Sequence, residues 1–304
     1  MLGFREHMLM EDYEQLDEKL ILYSNGAKYG QVVFLAGGAG SGKGFAQKNF
    51  MEVGKFKVFD VDELKKLFIK VRDLKMNLRN PQDVFNLHMM VKKSGVKDAR
   101  LNLLARSLSD SSNKNTLPNL MFDVTLKEIE DIKEIMPMLN ALGYDSKNIH
   151  VTWVLTNYYV AVKANQERDR VVPDDILLQT HVGASKTMSE IIKGQLPSGV
   201  DGGVYVILNN RKNTIPYVSR SKEEIEGDNK RKKLGDDDTK PLKTGGSIGK
   251  ENEKTIIVKD FTYVTLKKPG KGFEKESSIQ AQVFSWIKDN VPKDALKQID
   301  IPKQ

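Results

Sequence analysis

The sequence predicts an α/β fold, a parallel sheet layered between helices, on three observations. Short apolar runs alternate with longer segments of helical period, the pattern of strands joined by crossover helices. One run, Val32-Val33-Phe34-Leu35, empties directly into the glycine-rich stretch Gly37-Gly38-Ala39-Gly40-Ser41-Gly42-Lys43. Two more apolar runs end in acids, Asp60 with Asp62 and then Asp123, as strands do where an open sheet meets its ligand.

Taken in order, Leu9 to Tyr23 reads as an amphipathic helix with Leu16, Leu20 and Leu22 set among charges. The first strand and its glycine loop follow, then a helix from Phe45 to Glu52 and a short strand from Lys57 to Val61. Asp62 to Leu74 is the next helix, with acids in its first turn where the dipole favours them. Asn80-Pro81 interrupts the chain before helices from Gln82 to Lys92 and Asp98 to Leu108. Asn119 to Val124 reads as a strand, Leu126 to Leu142 as one helix kinked at Pro137, and Ile149 to Leu155 as a strand. A helix from Tyr158 to Asp169 leads to Val171-Val172-Pro173-Asp174-Asp175, where Pro173 stops one helix and Asp174 or Asp175 caps the next.

Val204 to Asn209 is the last strand of this core. Ser219 to Lys254 has almost no large apolar residues and cannot offset its ordering entropy by burial. Ile256 to Leu266 returns as a strand or hairpin, and Ile279 to Val291 as a helix carrying Phe284, Trp286 and Ile287. The organisation expected is therefore an arm (1–29), a core domain (30–218), a mobile charged insert (219–254) and a small C-terminal strand and helix extension (255–304) packed on the core.

Composition bounds the chemistry. With 304 residues and 39% hydrophobic content, the chain supports one core of about 200 residues plus appendages. It has no cysteine, which excludes disulfides, thiol catalysis and cysteine-ligated metals. The four histidines, His7, His88, His150 and His181, lack metal-ligand spacing. No apolar run approaches the ~18 residues of a membrane span, and no signal-peptide core opens the chain, so no membrane partner and a cytoplasmic location are expected. A net charge of +7 permits a polyanionic partner, although scattered surface lysines give the same figure.

The glycine stretch carries the functional reading. GxxxxGK after an apolar strand and before a helix is the Walker A pattern of a phosphate loop, which makes the fold that of a P-loop NTPase. Glycines let successive backbone N–H groups converge on phosphate oxygens at a helix N-terminus, and Lys43 reaches the β- and γ-phosphates. Residues Gly37, Gly38, Ala39, Gly40, Ser41, Gly42, Lys43 and Gly44 are thus the candidate ATP-binding set. Gly44 stands where most such loops carry a Ser or Thr on Mg²⁺, so the metal needs phosphate oxygens, water and a carboxylate from elsewhere. Asp123 is that candidate; the alternative is a strand-end turn closed by its own side chain.

The GKG form resembles the adenylate kinase group, and the chain from Gln31 to Asn210 resembles the zeta-toxin and polynucleotide-kinase group of P-loop kinases. Asp62 and Lys65 match that group's acid after the second strand with a basic residue three positions on. The resemblance implies that Asp62 accepts the proton of the attacking hydroxyl and that Lys65 lies near the substrate. An acid in a first helical turn also stabilises its own dipole, and the two roles are compatible. Thr125, two beyond Asp123, matches the D-x-T of the same group and is a substrate-side candidate. Arg168 and Arg170, between Asn165 and Val172-Pro173, match its lid arginines, which neutralise charge on the transferring phosphoryl. Which of the two faces the triphosphate is open, since Glu167 and Asp169 offer either one an alternative partner. His181 reads as a packed or capping residue.

The function expected is an ATP- and Mg²⁺-dependent kinase acting on a hydroxyl of a nucleic-acid end, a nucleotide or a sugar nucleotide. Arg72, Arg79 and Arg100 on the acceptor side either meet phosphates or decorate the surface. The whole chain also resembles kinase-like proteins of large tailed phages. Its first residues resemble their capsid-targeting peptides, with Leu9-Met10-Glu11 fitting an L-x-E cleavage pattern. That reading implies capsid association and packaging in the virion; its rival is an amphipathic helix docked on its own domain. The functional alternative from another class is an ATP-binding sensor or virion component that transfers nothing. A mechanical ATPase is disfavoured because no sensor arginine or oligomerisation element is identifiable.

Overall fold

The structure is a computed structural model, and it describes residues 29–51, 53–109, 117–168, 170–209, 255–258, 261–273 and 277–297. The expected N-terminal helix, its cleavage pattern and the charged insert lie outside the described residues.

The first strand β1 (Val32–Ala36) leads through the glycine loop into α1 (Lys43–Phe50). Then come β2 (Phe56–Asp60), α2 (Val61–Arg72), α3 (Pro81–Lys93) and α4 (Val96–Ser109). Next are β3 (Asn119–Asp123), α5 (Glu130–Lys133), α6 (Met136–Leu142), β4 (Ile149–Thr156), α7 (Tyr158–Gln166), α8 (Asp174–Ile192) and β5 (Val204–Asn209). A hairpin of β6 (Thr255–Val258) and β7 (Phe261–Lys267) and the helices α9 (Ser277–Asn290) and α10 (Lys293–Leu296) complete it.

The strands make one seven-stranded sheet in the order β2-β3-β1-β4-β5-β7-β6. β2, β3, β1, β4 and β5 are mutually parallel, and β7 joins β5 antiparallel with β6 outside it. The parallel α/β core is as expected. The C-terminal hairpin does more than pack on that core, because it extends the same sheet. Lys267, at the end of β7, fixes the junction: its buried ammonium donates to Asp201 O at 3.0 Å, Asp201 Oδ1 at 2.8 Å and Gly202 O at 3.0 Å.

β1 and β4 are buried along their whole length, which is why β1 reads as a continuous apolar run. Alternation still divides β1: Val32, Phe34 and Ala36 enter one core, Val33 and Leu35 the other. Phe34 and Phe122 stack at 5.3 Å between ring centres, and Phe59 meets Phe122 at 5.7 Å, tying β1, β3 and β2 together. Full burial of side chains of this size contributes about 1.5–3 kcal/mol each.

Three expectations need correction. The single helix over Leu126–Leu142 is two short ones, because Leu126 takes φ 54° and Pro137 lacks the N–H that would continue α5. Pro137 therefore sits in the first turn of α6, where no N–H is needed, rather than at a kink. The helix expected to reach Asp169 ends at Gln166, because both ends of the Asn165 amide bond the backbone of Val172 (2.7 and 3.0 Å) and close the chain into a loop. Asp174 and Asp175 do not cap α8; they lie in its first turn behind Pro173.

Candidate active site

β1 is flanked by β3 and β4, so the chain leaves it toward opposite sides of the sheet, and the crevice at its carboxyl end is where an open α/β sheet takes a ligand. The glycine loop occupies that crevice. Gly37 N–H donates to Thr125 O at 3.2 Å and Asn209 Nδ2 to Ser41 O at 3.2 Å, so the ends of β3 and β5 hold the loop from two directions. Thr125 thus supports the loop through its carbonyl. Lys43, the first residue of α1, donates to Gly37 O at 2.7 Å and lies 3.7 Å from Asp123. Ser41 is buried, and its N–H closes the loop on Gly38 O at 3.2 Å.

Parallel register sets the carboxylates. Asp123 pairs with Leu35 on one side and with Asp60 on the other, bringing both acids to the same edge. The Asp60 side chain accepts from Asp62 N–H at 2.7 Å, capping α2 and aiming its first turn. Asp62 then meets Arg170 in a two-point ion pair, and Lys65 reaches Asp62 Oδ1 at 3.4 Å. Burial alone would raise the Asp62 carboxyl, but Arg170 and Lys65 beside it hold it down at about 2. Burial raises Asp123 to about 6 against the pull of Lys43, with Asp60 and Asp62 adding to the rise.

Arg168 lies in the same electrostatic neighbourhood. Burial and then Arg170 depress its guanidinium, while Asp62, Asp123 and Asp60 oppose that. The structure thus brings together Lys43, Asp62, Lys65, Asp123, Arg168 and Arg170 from four separate elements or loops, with Arg170 the one bound to Asp62. The loop carrying the two arginines is braced twice: by the Asn165 clamp, and by Val171 N–H on Leu78 O at 2.9 Å, which joins it to the connection between α2 and α3.

Gln47 escaped sequence reasoning, and Arg100 and His181 make contacts it did not specify. Gln47 Nε2 donates to Asp123 Oδ2 at 2.9 Å; its place one turn after Lys43, on the same face of α1, was the available signal. Arg100 is neither a phosphate contact nor decoration. Its guanidinium stacks 4.7 Å over the Phe59 ring and donates to Asp60 O (3.2 Å) and Val58 O (3.4 Å), closing the free edge of β2. His181 packs beneath the glycine loop, as expected of a packed histidine, but against the loop itself. Arg72 lies over Phe68 at 5.6 Å.

Among the described residues, no helix is long and apolar enough to cross a membrane. A parallel sheet with a glycine loop at its switch point, Lys43 at the following helix and carboxylates on the adjoining strand ends define a phosphate-loop protein of the kinase-type α/β class. The Zeta toxin family profile matches residues 14–221, and the chain belongs to that family.

The fold is also similar to solved structures. One is from the PezAT chromosomal toxin–antitoxin system of Streptococcus pneumoniae (13% identity, 77% of this chain and 95% of that one, TM-score 0.39). Another is AvrRxo1-ORF1:-ORF2 with ATP (13% identity, 74% and 71%, TM-score 0.38). A third is deoxyadenosine kinase from M. mycoides with bound dATP (13% identity, 67% and 100%, TM-score 0.31). No curated protein matches the chain.

Proposed function

We propose that this protein transfers the γ-phosphoryl group of ATP to a hydroxyl of a nucleic-acid end, a nucleotide or a sugar nucleotide. The observation that carries the reading is the convergence of Asp62 and Arg170, 108 residues apart, beside Lys43 and Asp123 at the mouth of the glycine loop. Phosphoryl transfer asks the protein chiefly for positioning and charge, and this set supplies both. Lys43 and the loop amides hold the triphosphate, Asp62 accepts the acceptor's proton, and Arg168 and Arg170 meet charge on the equatorial oxygens. Lys65 stands beside the incoming hydroxyl. The acceptor enters between α2, α3 and the arginine loop.

The residues fit Mg²⁺ held largely by phosphate and water. Among the described residues no group of three acidic, histidine or cysteine side chains is placed to hold a metal alone. Asp123, largely buried and raised to about 6, is a carboxylate whose charge lacks full compensation from Lys43 and Gln47. Mg²⁺ there would offset charge on the β- and γ-phosphates. Gly44 leaves room for the hydroxyl it lacks, since a Cβ would meet nothing within 4 Å. Gly44→Ser is therefore expected to fold, with a gain of about 0.5 kcal/mol from helix propensity, and to bind Mg·ATP at severalfold lower Mg²⁺. Titration of ATP affinity against Mg²⁺ checks this; an unchanged Mg²⁺ midpoint would place the metal away from α1.

Labelled γ-phosphate offered with Mg²⁺ to 5′-hydroxyl DNA and RNA, nucleoside monophosphates and UDP-sugars tests the activity directly. Label in one acceptor class, lost in Lys43→Ala, is the expected result. Tight ATP binding with no label in any acceptor would establish the sensor reading instead.

A further inference from the structure

The helices on either side of the arginine loop both touch the glycine loop. α7 closes on Gly40, where a Cβ would stand 2.6 Å from the Ala161 carbonyl oxygen. α8 brings in His181, a residue only 6% exposed, whose ring meets Tyr158 edge-on at 5.8 Å and lies against Gly38 so closely that a Cβ there would overlap it. His181 Nε2 is 2.8 Å from the Ala39 carbonyl oxygen. A carbonyl oxygen only accepts, so Nε2 carries the proton and donates.

That bond orients a peptide. The described chain has no cis peptide, so the Ala39–Gly40 unit is planar and trans, and its N–H points opposite to its C=O. Holding Ala39 O on His181 turns the Gly40 N–H away from α8. Gly40 adopts φ 73°, and among the described residues its N–H has no backbone partner, whereas the next N–H, Ser41, is already spent on Gly38 O at 3.2 Å. Such an outward amide in a glycine loop is a donor for an anion.

We propose that His181 is a positioning residue for the nucleotide: by fixing the Ala39 carbonyl it presents the Gly40 N–H to a phosphate oxygen. The inference rests on the reading that the loop holds a nucleoside triphosphate. It also places the aim of the phosphate loop on α8, the helix that begins directly after the arginine loop, so both sets of phosphate donors share one support.

The test uses the full chain and three titrations by calorimetry: ATP, ADP and adenosine. His181→Phe fills the space without a donor, and His181→Gln sets an amide N–H near the Nε2 position. His181→Phe is expected to lose about 10- to 100-fold in ATP and ADP affinity, with adenosine unchanged and His181→Gln within about threefold of the parent. Equal ATP affinity in His181→Phe and the parent, or equal loss in both variants, would overturn the proposal. An observation on the unaltered protein stands apart from any folding defect: the Gly40 amide resonance of ¹⁵N-labelled chain moves downfield on ATP addition, and an unmoved resonance refutes the role. A parent that binds ATP in this way but phosphorylates nothing defeats the kinase reading and leaves this one intact.

Discussion

Asp62→Asn is expected to lower acceptor-dependent phosphoryl transfer by about 10²- to 10⁴-fold while ATP affinity stays within a few-fold of the parent, the mark of a lost general base. The substitution keeps shape and the N-terminal turn of α2, which Asp60 caps through the Asp62 N–H and not its side chain. It removes only charge and basicity. Arg170, bound to Asp62 in this structure, is released toward the phosphates, so nucleotide binding has no reason to weaken.

In the proposed mechanism the same pair holds the base in reserve. A carboxylate kept at about 2 by Arg170 and Lys65 is a poor proton acceptor. In that mechanism, transfer of Arg170 from Asp62 to the transferring phosphoryl would restore basicity as that phosphoryl is engaged. The acid limb of the single-turnover rate should accordingly lie above 2, toward the ordinary carboxylate value of 3.8, and vanish in Asp62→Asn. Transfer by Asp62→Asn at the parent rate would remove Asp62 from catalysis and return it to the role of a helix-dipole acid.

What the sequence disclosed about this site depended on how local each feature was. The loop from Gly37 to Gly44 was legible because its geometry is written in consecutive glycines after an apolar run. Asp60 and Asp123 were legible as strand ends, since strand and acid are adjacent in the chain. The partner of Asp62 was not, because two arginines two residues apart present no local reason for one to cross 108 residues to a carboxylate. The Asn165 clamp makes that choice by closing the chain on Val172, a backbone contact that periodicity does not encode. Arg100 was misread for the same reason: its stacking on Phe59 requires α4 to lie along β2. The hairpin's addition at β5 was hidden too, since apolar strands carry no address for the edge they join.

Acid sensitivity is the second large effect expected, and it arises from two buried histidines. His150 Nδ1 accepts from Gly203 N–H at 2.8 Å while Nε2 donates to Gln31 Oε1 at 2.7 Å, so a second proton on the ring would confront an N–H donor. Burial, with Lys267 nearby, pushes His150 down to about 3; burial, against the bond to Ala39, pushes His181 down to about 4. Both depart from an ordinary value of 6.5. Below that value the unfolded chain takes up two protons that the native state refuses, so their stabilising effect is complete above pH 6.5 and is lost as pH falls.

Each histidine changes stability by about 1.4 kcal/mol per pH unit within its window. Asp123 acts in the opposite sense: raised to about 6 from 3.8, it is protonated in the native state first, and the fold recovers about 1.4 kcal/mol per unit across that interval. Between pH 6 and 4 one histidine's worth of slope therefore remains, a loss of about 3 kcal/mol in all. Asp62 adds to the loss only below 3.8, as its pairing with Arg170 is titrated away toward 2. Denaturant unfolding at pH 7.5, 6, 5 and 4 reads this slope, and His181→Gln should flatten it by about 1.4 kcal/mol per unit. Stability that stays level from pH 6 to 4 would show that the native protein admits a proton at one of the two rings, the other balancing Asp123; stability that rises toward pH 4 would show protons admitted at both, which the donor set around His150 forbids.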